Sequence, residues 1–325
     1  MRRRDFLGIF AGFALWPSFA KEEHSKPVIG FLSSRTPEDS ARIVAAFRKG
    51  LTEAGYVEGQ DATIAYRWAE GDYERLPALA AEIVRLKPSV LIAAGGEPSA
   101  LAAKAASAEI PTVFSVGGDP VKIGLVRSMN RPGGNMTGVS LLATELEAKR
   151  LGILHELLPR AKVLGVLIDR EFQESGTQIL EITRAAEDIE QPVEIVYASN
   201  DDDLAIVFER LKTVGAEGLL VCASPFFDTR GKHIVAFEAQ ERLPAIHQFR
   251  EYAVQGALMS YGVSPPDGYR QIGLYAGQIL KGISPSDLPV VQPTTFEFVI
   301  NAKAAGVAGL DIPASLLARA DEVIQ

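Results

Sequence analysis

The chain has 325 residues, of which 47% are hydrophobic, and its formal net charge is −8 at pH 7. This length exceeds that of a usual single domain, so two domains are expected. The acidic residues are scattered, and the basic stripe that a nucleic acid backbone requires is missing from the sequence, so nucleic acid is not expected as a partner.

The first twenty residues, MRRRDFLGIFAGFALWPSFA, have the pattern of an export signal. A basic start at 2–4 precedes an apolar run at 7–16 that is too short to span a bilayer, and small residues flank a cleavage site after Ala20. Residues 3–7, Arg-Arg-Asp-Phe-Leu, also fit the order of a twin-arginine signal. The segment therefore predicts a soluble periplasmic protein, the alternative being that it is retained as an N-terminal anchor.

After this segment, short β-branched runs alternate with amphipathic stretches, which is the pattern of a parallel sheet covered by helices on both faces. Between the runs, apolar residues recur at helical spacing and predict helices. The predicted strands of the first half are 27–32, 62–68, 89–94 and 111–116.

The glycine-rich segment RPGGNMTG, at 131–138, interrupts this alternation, which then restarts. The predicted strands of the second half are 162–168, 192–198 and 217–223. A Val-x-Gly-x-Leu pattern beginning at Val28 opens the first half, and the same pattern beginning at Val163 opens the second. We therefore expect two similar α/β lobes.

The C-terminal part places a helix around Ile272 and Ile279 before the proline-rich stretch SPSDLPVVQPTTFEFVI. The length of this part suggests that the chain returns to the first lobe after building the second. The predicted first lobe comprises 27–141 and about 263–295, and the second comprises 142–262 and about 296–325. Two or more parallel connections between the lobes would form a hinge.

The sequence lacks the usual signatures of catalysis and of cofactor binding. Neither phosphate-binding pattern, G-x-G-x-x-G or G-x-x-x-x-G-K-[ST], occurs in it, and the G-x-S-x-G nucleophile elbow is missing. His24, His155, His233 and His247 show no metal-binding spacing with one another or with Cys222, the single cysteine. We expect no metal, no cofactor and no catalytic residue, and a buried, unreactive Cys222.

Four polar or glycine-rich segments follow predicted strands. They are Ser33-Ser34, 95–99, 115–119 and 224–227. In open parallel sheets, ligands bind outside the carboxyl ends of the strands, where loops and helix N-termini offer free N–H groups. Each segment taken alone is equally well explained as a helix N-cap with turn glycines, but four such endings favour one pocket between the lobes.

Three long stretches carry a resemblance to a known family. They are GFLSSRTPEDSARIVAAFRKGLTEAGYVEGQDATIAYRWAEGDYERLPALAAEIV, VFSVGGDPVKIGLVRSMNRPGGNMTGVS and FEFVINAKAAGVAGLDIPASLLARADEVI. The chain resembles the extracytoplasmic substrate-binding proteins of ABC transporters, and more narrowly the branch that includes tryptophan- and tyrosine-binding members. The resemblance implies the type I periplasmic-binding fold, an α/β fold with two Rossmann-like lobes, parallel sheets and a multi-strand hinge.

The resemblance also implies which residues contact the ligand. Its ligand loops correspond to Ser33, Ser34, Gly96, Glu97, Ser115, Gly117, Gly118, Asp119, Ser224, Pro225 and Phe226, and we add Ser140, Asp169, Arg250 and Tyr261 as further candidates. Phe114, Phe226, Phe227 and Tyr261 are candidates to stack on an aromatic ligand, or else belong to the core. Arg250 is a candidate to pair with a ligand acid, or with a surface carboxylate.

Two departures from the family pattern concern the charge of the ligand. The family is expected to carry Thr or Ser at position 97, where a hydroxyl and helix N-terminal amides would receive a carboxylate, whereas Glu97 would repel one. Many members have an Asn-Pro-rich loop where this chain has the charged residues 169–171.

The function that the resemblance implies is recognition without chemistry. A monomer would capture a small organic solute, an amino acid or an aromatic compound, and deliver it to an ABC permease in the inner membrane. Ligand contacts made only when the lobes are closed would shift the population toward that form. The alternatives are a ligand-sensing domain of the same fold that acts on a signalling partner, and an enzyme on a two-lobed scaffold, such as a glycosyltransferase.

Overall fold

The computed structural model describes residues 26–325, so the predicted export signal at 1–20 lies outside the described residues. Strands and helices alternate through two lobes, each with its own mostly parallel sheet, which confirms the α/β class and the two-lobed architecture. Within the described range, we find no helix long and apolar enough to cross a membrane.

The first lobe contains a five-stranded sheet in the spatial order β2-β1-β3-β4-β5. Its strands are β1 (Val28–Ser33), β2 (Thr63–Trp68), β3 (Val90–Ala94), β4 (Thr112–Val116) and β5 (Met136–Ser140). All neighbours pair in parallel. The strands β3, β4 and β5 are buried along their whole length, as expected for a parallel sheet covered on both faces.

The second lobe contains a seven-stranded sheet in the order β12-β11-β10-β9-β8-β6-β7. Its strands are β6 (Leu164–Ile168), β7 (Val193–Tyr197), β8 (Leu219–Val221), β9 (Ala245–His247), β10 (Met259–Val263), β11 (Phe296–Asn301) and β12 (Glu322–Ile324). Only β10 and β11 pair antiparallel among these strands.

The helices cover both faces of the two sheets. They are, in chain order, α1 (Ala41–Glu53), α2 (Leu76–Arg85), α3 (Glu97–Ala106), α4 (Glu147–Leu157), α5 (Ser175–Asp188), α6 (Asp201–Val214), α7 (Pro225–Glu241), α8 (Arg250–Gln255), α9 (Pro265–Leu280), α10 (Ala302–Ala308) and α11 (Ala314–Leu317). Short 3₁₀ turns lie at Tyr73–Arg75 and Pro285–Asp287.

Helix α9 follows the second lobe in sequence but packs on α1 of the first lobe. The two helices approach so closely that a Cβ at Gly273 would lie 2.1 Å from the Phe47 carbonyl oxygen. A Cβ at Gly50 would likewise lie 1.9 Å from the Arg270 carbonyl oxygen. Glycine at both positions therefore allows the returning chain to seal one face of the first sheet.

The chain passes between the lobes three times, at 141–146, at Ser264 and at 288–295. The third passage runs beside β5, since the Val291 N–H donates to the Gly138 carbonyl and the Ser140 N–H donates to the Val291 carbonyl, both at 3.0 Å. Three connections of this kind form the multi-strand hinge that the sequence analysis expects.

All seven predicted strands are present, with ends that differ by one or two residues. Five further strands, β5 and β9 to β12, are not among those seven. The strand β5 begins within 131–138, where the glycine-rich sequence predicts a break. Gly138 lies inside this strand, and a Cβ there would lie 2.2 Å from the Phe114 carbonyl oxygen. The glycine therefore permits close pairing with β4 rather than ending a strand. Cys222 is fully buried, and burial raises the pKa of its thiol well above the ordinary value, which confirms the prediction for that residue.

Candidate functional site

A cavity lies between the two lobes at the carboxyl ends of their parallel strands, and its empty space of about 460 Å³ includes solvent at the opening. It is lined by Arg35, Gly95, Gly96, Glu97, Ser115, Val116, Gly117, Leu141, Ala143, Thr144, Phe172, Ala223, Ser224, Pro225, Asp228, Gln248, Phe249, Pro265 and Tyr269. Both lobes and the first passage between them contribute. The position is the one at which open parallel sheets bind ligands.

The turn between β3 and α3 brings the backbone of the first lobe against the second. Gly95 and Gly96 have φ angles of +81° and +107°, a region that side chains with a Cβ rarely adopt. A Cβ at Gly96 would also lie 2.8 Å from the Pro225 ring at the start of α7. The paired glycines therefore serve both the turn geometry and the close contact of the lobes.

Glu97, the first residue of α3, is buried with 1% of its surface exposed. Its Oε1 accepts hydrogen bonds from the backbone N–H groups of Gly117 and Gly118, each at 2.7 Å. Burial raises the pKa of the carboxyl group to about 7, although these hydrogen bonds act in the opposite direction. The side chain thus holds together the ends of β3 and β4 at the wall of the cavity.

An ion pair joins the lobes across the cavity. Arg35, which follows β1, lies with its Nη1 3.3 Å from Oδ2 of Asp228 on α7. Oδ1 of Asp228 accepts hydrogen bonds from Gln248 Nε2 at 2.8 Å and from the Tyr252 hydroxyl at 3.0 Å. Burial raises the pKa of Asp228, and the guanidinium of Arg35 opposes that effect.

Two buried polar atoms of cavity-lining residues have no hydrogen-bond partner among residues 26–325. They are Nε of Arg35, a donor from the first lobe, and Oε1 of Gln248, an acceptor from the second. A buried donor or acceptor without a partner costs roughly 1–3 kcal/mol. A solute that offered one acceptor and one donor would remove that cost.

The remaining walls are largely apolar, with Leu141 and Ala143 from the passage after β5 and Phe172 and Phe249 from the second lobe. Tyr269 of α9 lies opposite, and its hydroxyl accepts a hydrogen bond from the Gly95 N–H at 2.9 Å. Apolar walls with a few convergent polar groups are typical of small-molecule sites.

Six of the residues predicted from the sequence line the cavity: Gly96, Glu97, Ser115, Gly117, Ser224 and Pro225. Four more predicted residues are buried behind the cavity, where they hold its loops: Ser33, Ser34, Gly118 and Ser140. Ser34 Oγ donates to the Gly95 carbonyl at 2.6 Å, and Ser33 Oγ accepts from the Arg35 N–H at 3.1 Å. Ser140 Oγ donates to the carbonyl of Gly118 at 3.0 Å.

Other predicted residues lie beside the cavity in different roles. Asp119 accepts a hydrogen bond from the Val121 N–H at 2.8 Å and so caps a local turn. Asp169 Oδ2 accepts from the hydroxyl of Tyr73 at 3.0 Å, and the Phe226 N–H donates to the same hydroxyl at 2.9 Å. Asp169 and Phe226 therefore belong to a direct contact between the lobes.

Arg250 and Tyr261 are not brought to the cavity. Arg250 forms an ion pair with Glu322 of β12, with Nε and Oε2 2.6 Å apart. The ring of Tyr261 stacks with that of Phe296 at a centroid distance of 6.1 Å, beside the core of the second lobe. The pairing with a surface carboxylate, which the sequence analysis left open for Arg250, is the arrangement found.

Two of the proposed stacking residues, Phe114 and Phe227, are also absent from the cavity lining. Both are fully buried in hydrophobic clusters of their own lobes. Their role as core residues was the alternative that the sequence analysis kept open.

Several lining residues are not among those predicted from the sequence, including Arg35, Asp228, Gln248, Phe249 and Tyr269. Arg35 directly follows the serine pair at the end of β1, and Gln248 and Phe249 directly follow β9, so the rule for strand ends could have included them. Asp228 and Tyr269 lie inside helices, where no local signal marks them.

Among the residues that the structure describes, no group of three or more His, Cys, Asp or Glu side chains is arranged to hold a metal ion. His247 is fully buried, and its Nε2 lies 2.9 Å from Oε1 of Glu238.

Comparison with known proteins agrees with this geometry. Residues 36–324 match the family model described as ABC transporter substrate binding protein. A tyrosine-binding protein of Clostridioides difficile (strain R20291) is 30% identical over 261 residues, which are 78% of this chain and 73% of the relative.

Two solved structures are also similar. A conserved domain protein from Vibrio cholerae O1 biovar eltor superposes with a TM-score of 0.84 at 24% identity, covering 92% of this chain and 99% of the other. An ABC domain in complex with L-Trp from Streptococcus pneumoniae superposes with a TM-score of 0.81 at 26% identity, covering 92% of this chain and 100% of the other.

Proposed function

Because the chain belongs to the ABC transporter substrate binding protein family, we propose that it captures one small organic solute in the cavity between its lobes. It then delivers this solute to an ABC permease in the inner membrane. The protein acts by binding and release, as a monomer, without changing the solute chemically.

The observation that carries this proposal is the pair of unsatisfied polar atoms on residues that line the cavity, Nε of Arg35 and Oε1 of Gln248. They come from opposite lobes, so a solute that satisfies both does so only when the lobes are together. Contacts that exist only in one conformation shift the population toward it, which is how a two-lobed protein closes on its ligand.

The walls of the cavity support a solute with an apolar part. Phe172, Phe249 and Tyr269 offer aromatic surface to that part. One relative is a tyrosine-binding protein and a similar structure holds L-Trp, so aromatic amino acids and their derivatives are the first class to test.

The place of action is the periplasm, with the signal removed after Ala20. The support for this part of the proposal is the sequence pattern of residues 1–20, which combines a basic start with a short apolar run.

The proposal is tested by a thermal-shift screen of residues 21–325 against aromatic and branched amino acids, their amines, aromatic acids, purines and short peptides. A ligand that binds only the folded state adds roughly 2.7 kcal/mol at a hundred times its Kd, so a true ligand raises Tm by several degrees. Molecules trapped during purification are identified by mass spectrometry of the denatured protein.

A matched pair of variants locates the site. Gln248→Met removes the unsatisfied acceptor of the cavity, whereas Gln60→Met changes an exposed glutamine before β2. We expect Gln248→Met to bind the solute at least tenfold more weakly than the wild type, and Gln60→Met to bind it with the wild-type affinity. Equal binding by both variants would place the solute elsewhere, and the absence of any stabilising or trapped solute would contradict the proposed function.

A further inference from the structure

The carboxylate of Glu97 occupies a position that is built to hold an anion. Two consecutive backbone N–H groups, those of Gly117 and Gly118, converge on its Oε1 at 2.7 Å each. The residue also begins α3, a helix of ten residues whose N-terminus carries partial positive charge. Converging N–H groups and a helix N-terminus form an anion-binding nest, and in this chain a side chain of the protein fills it.

The nest belongs to the cavity, because Gly96, Glu97 and Gly117 all line it. An independent feature shows that the same cavity is prepared for a ligand. Gln248 is buried with 1% of its surface exposed, it lines the cavity, and its Oε1 has no partner among residues 26–325. The second lobe therefore contributes a free hydrogen-bond acceptor to the residues that line the cavity.

The other charged groups around the nest do not favour a second anion. Glu174, at the start of α5, approaches the same turn, because its Oε2 lies 2.8 Å from where a Cβ at Gly118 would be. The charges of four residues act on Glu174: Asp119, Lys122, Glu145 and Glu181. Three of these four residues are acidic, and Lys122 is the basic one. Across the cavity, the charge of Arg35 is already paired with Asp228.

We propose that Glu97 sets the charge class of the solute: it selects molecules that present a positively charged nitrogen to it and rejects molecules that present a carboxylate there. This inference rests on the proposed function, since it names the class of solute for the same cavity. Two carboxylates at one nest repel each other, whereas an ammonium group donates hydrogen bonds to the oxygen atoms of Glu97.

The consequence for amino-acid-like solutes is specific. The ammonium group of such a solute faces Glu97, and its carboxylate, where it has one, must lie elsewhere in the cavity. A related molecule that keeps the apolar part and the ammonium group but lacks the carboxylate still satisfies Glu97. A related molecule that keeps only the carboxylate does not.

The first experiment tests the nest without any solute. Glu97→Ala empties the nest, so sodium acetate should raise the Tm of this variant above the effect of sodium chloride at equal ionic strength. The wild type and Glu97→Gln, in which an amide oxygen still accepts from Gly117 and Gly118, should show no such difference. Glu109→Ala, an exposed change in the same lobe, is the matched control, and Glu97→Ser replaces Glu97→Ala if the latter does not fold.

The second experiment measures charge selection by calorimetry at pH 8, where Glu97 is ionised. It uses three matched sets: tyramine, tyrosine and 3-(4-hydroxyphenyl)propionate; tryptamine, tryptophan and indole-3-propionate; isopentylamine, leucine and 4-methylpentanoate. In every set that binds the wild type, we expect the amine to bind at least tenfold more tightly than the acid. In Glu97→Ser, this preference should fall or reverse, because the nest becomes free for the carboxylate.

The outcomes distinguish charge selection by Glu97 from solute capture in the cavity. An acid that binds the wild type as tightly as its amine, or a preference that Glu97→Ser leaves unchanged, would overturn the selection while leaving solute capture intact. Failure of acetate to stabilise Glu97→Ala or Glu97→Ser specifically would overturn the nest. Specific stabilisation by acetate with no binding of any set would instead contradict solute capture in these classes and, with it, the selection.

Discussion

At the scale of single residues, the side chains that define the cavity are polar groups held in place by backbone atoms. Glu97 is fixed by the N–H groups of Gly117 and Gly118, and Tyr269 is fixed by the N–H of Gly95. These contacts hold two side chains of the first lobe in place at the wall of the cavity. The carboxyl group of Glu97 is nevertheless costly to bury in its charged form.

This cost predicts a pH dependence of stability. Burial raises the pKa of Glu97 from 4.5 to about 7 in the folded protein. Between these values the folded state holds a proton that the unfolded state has lost, so the contribution of Glu97 to stability falls as pH rises from about 4.5 to about 7 and is constant above. Relative to the wild type, Glu97→Gln should therefore gain about 2–3 kcal/mol between pH 5 and pH 8.

The measurement is urea unfolding at several pH values, with Glu109→Gln as the control for an exposed carboxyl group. Other buried acids change the profile of the wild type as well, so the informative quantity is the difference between each variant and the wild type. A difference for Glu97→Gln that does not vary with pH would show that Glu97 ionises normally in the fold.

At the scale of elements, the packing of α9 on α1 determines whether the C-terminal part of the chain can complete the first lobe. This contact depends on Gly50 and Gly273, where a Cβ would overlap backbone atoms of the other helix. Tyr269, a wall of the cavity, lies on the same helix one turn before Gly273. The position of a binding-site residue is therefore set by a helix–helix contact.

We expect Gly273→Ala to destabilise the protein by about 1–3 kcal/mol, because the backbone of α1 cannot move aside as a flexible side chain could. Gly152→Ala is the matched control, since this glycine lies within α4 and a Cβ there would meet nothing within 4 Å. The control should be neutral or stabilising by up to about 1 kcal/mol. Equal effects of the two substitutions in thermal unfolding would contradict the close packing of α1 and α9.

The strands and the loops of the site could be predicted from the sequence to different extents. Continuous apolar runs identify buried parallel strands. The segments predicted at the ends of β3, β4 and β8 contain eight of the nineteen residues that line the cavity. Arg250 and Tyr261 could not be placed, because the direction of a side chain depends on partners such as Glu322 and Phe296 that are distant in sequence. Tyr269 and Asp228 reach the cavity from helices, and only the tertiary packing shows this.

At the scale of the whole molecule, the two lobes touch directly around the cavity. The hydroxyl of Tyr73 in the first lobe donates to Asp169 and accepts from the N–H of Phe226 in the second. Arg42 and Glu251 form a further ion pair between the lobes, with Nη1 and Oε1 2.6 Å apart. These contacts contribute to closure without any solute, so they affect the balance between open and closed forms.

Tyr73→Phe removes both hydrogen bonds while keeping the ring, and we expect it to shift the unliganded protein toward the open form. A loss of about 1–2 kcal/mol in closure lowers the apparent affinity for any solute by roughly 5- to 30-fold. Small-angle X-ray scattering should give a larger radius of gyration for this variant without solute than for Tyr56→Phe, a change within the same lobe. Identical scattering and affinity for both variants would mean that the Tyr73 contact does not bias closure.

The most direct test of solute capture between the lobes is calorimetric titration of a stabilising solute into the wild type, Ser115→Leu and Asp119→Leu. Ser115 lines the cavity and Asp119 caps a turn beside it, so leucine should fill the solute space in the first variant only. We predict one site per chain, binding abolished by Ser115→Leu, and binding within a few-fold of the wild type for Asp119→Leu. Undiminished binding by a folded Ser115→Leu protein would show that the solute is held somewhere other than the cavity between the lobes.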